Sequence, residues 1–97
     1  MKNIYFHPAA KLEASEAVIF YEQRVAGLGG RFITSIENAV NVVRSNPLHF
    51  RKIEGGLRKY KIPHFPYGII FRARHDFIEI IAVMHLHRKP GYWENRL

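Results

Sequence analysis

Cysteine is absent from these 97 residues, and acidic side chains are scarce, with 8 Asp and Glu against 15 Lys and Arg. Without cysteine there is neither a disulfide framework nor a thiolate metal site, and a reducing cytoplasm is the natural compartment. No apolar run approaches the roughly 20 residues that span a bilayer. The opening Met1-Lys2-Asn3-Ile4-Tyr5-Phe6 is too short for the apolar core of a secretory signal. A soluble, cytoplasmic protein with no membrane partner is therefore expected. The chain also lacks repeats, low-complexity tracts and any Pro/Gly/Ser linker, so residues 1–97 are expected to form one domain around one core.

What the chain does have is positive charge. A formal +7 and a pI near 10.1 favour polyanionic partners, whether nucleic acid, the ribosome or an acidic protein. The competing reading of the charge is plain solubility.

Hydrophobic periodicity predicts the elements. Lys2 to Phe6 alternates around Ile4 and Phe6 as a short strand, and Pro8 suits the first turn of a helix. From Ala9 to about Val25, residues Ala10, Ala14, Ala17, Val18, Tyr21 and Val25 form a helical stripe, with Lys11, Glu13, Glu16, Glu22 and Gln23 largely off it. Gly27, Gly29 and Gly30 predict a break. A second helix, Arg31 to Arg44, aligns Phe32, Ile33, Ile36, Val40 and Val43, and Asn46-Pro47 ends it. After a loop containing His49, Arg51 and Lys52, strands are predicted over Leu57 to Ile62, Tyr67 to Arg74 and Phe77 to His85, the last two joined at His75-Asp76 as a hairpin. The order is β-α-α-β-β-β, an α+β layer fold with a helical hairpin on one face of a small sheet. The segment from Pro90 is either helical or irregular.

The last strand predicts Ile78, Ile80, Ala82 and Met84 on one face and Phe77, Glu79, Ile81, Val83 and His85 on the other. Both faces are largely apolar. One packs on the helices, and the other needs the C-terminal segment or a partner chain as its cover.

Two constellations could carry chemistry. Arg58, Lys59, Lys61, Arg72, Arg74, Arg88 and Lys89 lie on or beside three consecutive strands, where convergence would make a phosphate-binding surface. The ending His85-Leu86-His87-Arg88-Lys89-Pro90-Gly91-Tyr92-Trp93-Glu94-Asn95-Arg96 concentrates imidazole, cationic and aromatic groups. His85 and His87 share a strand face. Metal-free RNA cleavage needs a base for the 2′-hydroxyl, cations for the pentavalent phosphate and an acid for the leaving oxygen, and His85 or His87, Arg88 and Tyr92 include those types. The structural alternative is that His85 bonds a neighbouring strand end and that Tyr92 and Trp93 pin the C-terminus to the core. With no third ligand at a natural spacing, neither metal nor cofactor is expected. His7, His49, His64 and His75 carry no recognisable motif.

In order and spacing, several segments resemble the RelE/ParE toxin superfamily of bacterial type II toxin-antitoxin, or plasmid stabilisation, systems. They are His7-Pro8-Ala9-Ala10, Phe20-Tyr21-Glu22, Asn46-Pro47, Gly56-Leu57-Arg58-Lys59-Tyr60, Phe65-Pro66-Tyr67-Gly68-Ile69-Ile70-Phe71-Arg72 and Ile81 to Pro90. The resemblance implies a compact antiparallel sheet bearing a helical hairpin. It also implies a cognate acidic antitoxin that wraps and neutralises the toxin, with operator DNA contacted only through that complex.

RelE-like members cleave mRNA on the ribosome, whereas ParE-like members inhibit DNA gyrase. Where the RNases usually carry an arginine early in the strand Tyr67 to Phe71, this chain has Gly68. The resemblance therefore implies a ParE-like growth inhibitor acting through gyrase rather than an enzyme. Its surface for target or antitoxin would be Arg58, Lys59, Lys61, Arg72, His85, His87, Arg88, Tyr92, Trp93 and Arg96. The alternatives are a ribosome-dependent mRNA endonuclease, metal-free, in which His85, Arg88 and Tyr92 are catalytic, and an inactive antitoxin-binding module.

Overall fold

The computed structural model describes residues 2–97 and is a two-layer α+β structure. Strand β1 (Asn3–Phe6) leads into helix α1 (Pro8–Arg24) and helix α2 (Leu28–Ser45), followed by β2 (Arg51–Lys52), β3 (Arg58–Lys61), β4 (Tyr67–Ala73) and β5 (Phe77–His85). Single 3-10 turns occupy Pro47–His49, Glu54–Gly56 and Glu94–Arg96. The sheet order is β1-β5-β4-β3-β2. Helices on one face of a small sheet match the expected class, but the sheet is mixed rather than antiparallel. β5 has β4 on one side, so β1 takes the other side and runs parallel to it, Asn3 opposite Phe77 and Phe6 opposite Ile80. The two-residue β2 was expected to be loop.

Helix α1 starts where Pro8 presets the backbone, and the His7 imidazole caps it by accepting from Ala9 N–H at 3.0 Å. Its buried positions, Ala10 and Ala17, are small, which lets it lie close to both α2 and the sheet. Helix α2 begins three residues before the expected Arg31. Gly27, at φ +88°, makes the turn. The Glu22 carboxylate then accepts from Gly27 N–H and Gly29 N–H, both at 2.9 Å, supplying the N-terminal acceptor that α2 lacks in its own sequence. Gly29 and Gly30 are therefore helical residues, not breakers.

The main core lies between helices and sheet. Tyr21, Phe32, Phe65 and Tyr67 form an aromatic cluster, with Phe32 4.9 Å from Phe65 and 5.1 Å from Tyr67 between ring centroids. Phe71, Ile78, Ile80 and Val83 extend it along the sheet. On the other face a smaller core gathers Leu57, Ile70, Ile81, Ala82, Met84 and Trp93. Ile81 and Ala82 thus share a face, against strict alternation. The reason is a bulge: Ile70 pairs with Ala82 and Phe71 with Ile80, leaving Ile81 as the extra residue. Beyond it the expected faces exchange, so Ala82 and Met84 point away from the helices and Val83 toward them.

The two glycines that open α2 differ in their surroundings, and this can be tested by urea denaturation. A Cβ on Gly29 would sit 2.8 Å from the Val18 carbonyl oxygen, whereas one on Gly30 meets nothing within 4 Å. Gly29→Ala should lower stability by roughly 1–3 kcal/mol. Gly30→Ala should raise it by about 0.5–1 kcal/mol through the helical preference of alanine over glycine.

Candidate functional site

Strand β1 stops at Phe6 while β5 continues to His85, so one edge of β5 is left open beyond Ile80. The His7 N–H still reaches Ile80 O at 2.8 Å. Past that point side chains replace the missing strand. Arg96 Nη1 donates to Ile81 O at 3.0 Å, and Val83 N–H donates to Glu13 Oε1 at 3.0 Å.

The same two side chains bind each other in a bidentate pair, Arg96 Nη1 to Glu13 Oε1 and Nη2 to Oε2, both 3.0 Å. Each is only 12% exposed. Arg88 Nη1 adds a contact to Glu13 Oε2 at 3.2 Å, and the Tyr92 ring lies 3.5 Å from the Arg88 guanidinium and 5.1 Å from that of Arg96. The bond to Glu13 is the main cause that holds the Arg96 pKa above its ordinary value, with burial opposing it.

The Tyr92 hydroxyl is buried beside the Glu13 carboxylate and has no hydrogen-bond partner of good geometry. Burial first, and then that carboxylate, push its pKa well above the usual phenol value.

His85 stands at the end of β5, its ring 5.1 Å from that of Tyr67 and 5.2 Å from that of His87. Its Nδ1 accepts from His87 N–H at 3.1 Å, which leaves the proton of a neutral ring on Nε2. Trp93 is buried on the sheet face away from the helices, pinning the C-terminal segment there and providing the cover that face required.

The expected site residues therefore fall into three groups rather than one. Arg88, Tyr92 and Arg96 converge on Glu13, with His85 and His87 at the neighbouring strand end. Arg72 donates through Nε and Nη2 to Glu79 Oε1, at 3.1 and 2.7 Å, and Arg74 lies 3.9 Å from the same oxygen. Arg58, Lys59 and Lys61 lie on β3, where alternation divides them. Arg58 sits opposite Phe71 and bonds Phe50 O at 2.9 Å, whereas Lys59 and Lys61 sit opposite Ile70 and Gly68. Gly68 is buried, and the place a side chain would take there is occupied by the Lys59 stem, whose Cε lies 3.2 Å from an ideal Cβ.

A cleft of about 710 Å³ opens beside Lys59 between the β2–β3 ribbon and the C-terminal segment. His85, Arg88 and Tyr92 are not among its lining residues. Among the described residues no group of three or more His, Cys, Asp or Glu is placed to hold a metal ion, and no helix is long and apolar enough to cross a membrane.

A family model described as "ParE toxin of type II toxin-antitoxin system, parDE" matches residues 4–90. The chain belongs to this ParE toxin family. Among solved structures it is similar to a chain of the chromosomal ParDE toxin-antitoxin system from P. aeruginosa, at TM-score 0.67 and 17% identity over 90% of this chain and 98% of that one. A search of curated proteins finds no significant match. The two helices and five-strand mixed sheet are thus those of a ParE structure, and membership in a ParDE system implies a cognate antitoxin.

Sequence reasoning missed Glu13, which reads as an ordinary polar residue on an amphipathic helix. The signal was in the strand lengths: a four-residue β1 cannot cover a nine-residue β5, so polar side chains had to reach the remaining edge. It also missed Arg51, Glu54 and Glu94 on the cleft.

Glu13→Gln should lower stability by about 2–4 kcal/mol, because it leaves Arg96 and the β5 edge without their anionic partner. Tyr92→Phe should be neutral or slightly stabilising, since it removes an unsatisfied hydroxyl. Between the ordinary phenol value near pH 10 and the higher folded value of Tyr92, the unfolded chain binds fewer protons than the folded one. Stability should therefore fall as pH rises above about 10, and less steeply in Tyr92→Phe. Urea midpoints from pH 8 to 11 would measure both effects.

Proposed function

We propose that the chain arrests growth by binding DNA gyrase in the cytoplasm, that its cognate acidic antitoxin silences it, and that it acts by occupying its target rather than by cleaving RNA. The observation that carries this reading is the commitment of the would-be catalytic set to structure. Arg96 is held by Glu13 on the open edge of β5, and Arg88, although half exposed, is drawn to the same carboxylate and stacked on Tyr92. A cation already paired to a carboxylate stabilises phosphate charge poorly. The Tyr92 phenol is buried with a raised pKa, which makes it a weak acid for the leaving oxygen.

The lysine nearest to the place of the RNase arginine, Lys59, lies on the sheet face turned away from the helices, whereas His85 stands against Tyr67 at the edge of the helix-side core. Lys59 and the candidate base His85 thus lie on opposite faces, where an in-line RNA cleavage needs base and cation around one phosphate. Binding fits the chain better than catalysis. The +7 charge suits an acidic antitoxin, which gains both charge complementarity and apolar burial when it folds on the toxin.

Purified protein assayed side by side should block gyrase supercoiling and leave mRNA on programmed ribosomes intact. Ribosome-dependent cleavage abolished by His85→Ala would replace this reading with a nuclease.

A further inference from the structure

The β2–β3 ribbon is built against its own electrostatics. Its two cross-strand pairs are Arg51 opposite Lys59 and Lys52 opposite Arg58, like charges directly facing each other. Such pairs destabilise a sheet. Arg72, Arg74, Arg88 and Arg96 each lie within 4.0 Å of a carboxylate, but among the described residues none of the four ribbon cations does. The pair Arg51 and Lys59 also borders the 710 Å³ cleft, whose walls include Ile53, Trp93 and the half-exposed Leu97. Glu54 and Glu94 stand on the same cleft.

From this we infer that the cleft receives an extended segment of the toxin's protein target, one that carries a carboxylate beside a bulky apolar side chain. The carboxylate meets Arg51 and Lys59, relieving their mutual repulsion, while the apolar side chain packs on Ile53, Trp93 and Leu97. Glu54 and Glu94 argue against a polyphosphate, which both would repel, and suit the backbone N–H groups or a basic residue of a peptide.

On the opposite layer, Phe6, Ala14, Val18, Ile19, Ile33 and Ile36 line a groove on the helical hairpin whose exposed surface is almost wholly apolar. A groove of that kind suits a long-lived complex held by apolar burial, whereas a charge-rimmed cleft suits target encounter, where electrostatics set rate and specificity. This inference rests on the reading of the chain as a toxin with a protein target. It does not require that target to be gyrase.

The test is Arg51→Glu in the full chain, induced in cells that lack the antitoxin and also purified. Facing Lys59, the new carboxylate completes a cross-strand ion pair, so the urea midpoint should stay level or rise while the field at the cleft reverses. Growth arrest should weaken at least tenfold in inducer dose, and in the purified protein half-inhibition of gyrase should shift to at least tenfold higher concentration. Arg51→Gln, which removes the charge without reversing it, should fall between the two. A stable Arg51→Glu chain that arrests growth at the wild-type dose would overturn the inference. A wild-type chain that arrests growth while gyrase remains active would overturn the target assignment, and the growth comparison would still decide the cleft. A wild-type chain without effect on growth would remove the premise and the inference together.

Discussion

A four-residue strand beside a nine-residue one leaves the last strand with an edge its neighbour cannot cover, and the toxin closes that edge with side chains instead of backbone. Glu13 accepts from Val83 N–H, Arg96 donates to Ile81 O, and their mutual bidentate pair holds both in register. A buried backbone group without a partner costs about as much as a lost hydrogen bond, so this closure satisfies the edge of β5 that β4 does not pair. It also joins three distant parts of the chain, the first helix, the last strand and the C-terminal turn. Trp93, three residues from Arg96, is buried in and completes the second core.

The same closure determines which positive charges remain available. Fifteen Lys and Arg suggest a broad basic face, but those richest in hydrogen-bonding geometry are used internally. Arg96 and Arg88 serve Glu13, and Arg72 serves Glu79. The cations left without a carboxylate include the two cross-strand pairs of the β2–β3 ribbon, at the far side of the sheet from β1. Net charge gives the sign of the whole chain, while pairing decides where on the surface that sign is expressed.

Elements governed by local rules were legible in the sequence. The apolar stripes of both helices, the proline stop at Pro47 and the β4–β5 hairpin follow from periodicity and turn chemistry, and the expected class holds. Where the reading fell short, the cause was non-local. The start of α2 depends on Glu22 reaching across from α1. The bulge at Ile81 depends on how β5 meets β4, and a single extra residue exchanged the faces of Ala82 and Val83. The parallel placement of β1 depends on which edge β4 leaves free. At the site, the ending from His85 to Arg96 stands out in the sequence for its imidazole, cationic and aromatic groups. Its Arg88 and Arg96, however, are gathered by a carboxylate 75 and 83 positions earlier that no local pattern distinguishes.

A glycine also shaped the site by what it leaves out. At Gly68 the absent side chain makes room for the Lys59 stem to lie across β4, and that stem sets the lysine beside Arg51 on the cleft. An arginine at position 68 would fill this space and push Lys59 away from the sheet. Glycine on β4 thus lets a lysine stem take the place of a side chain there.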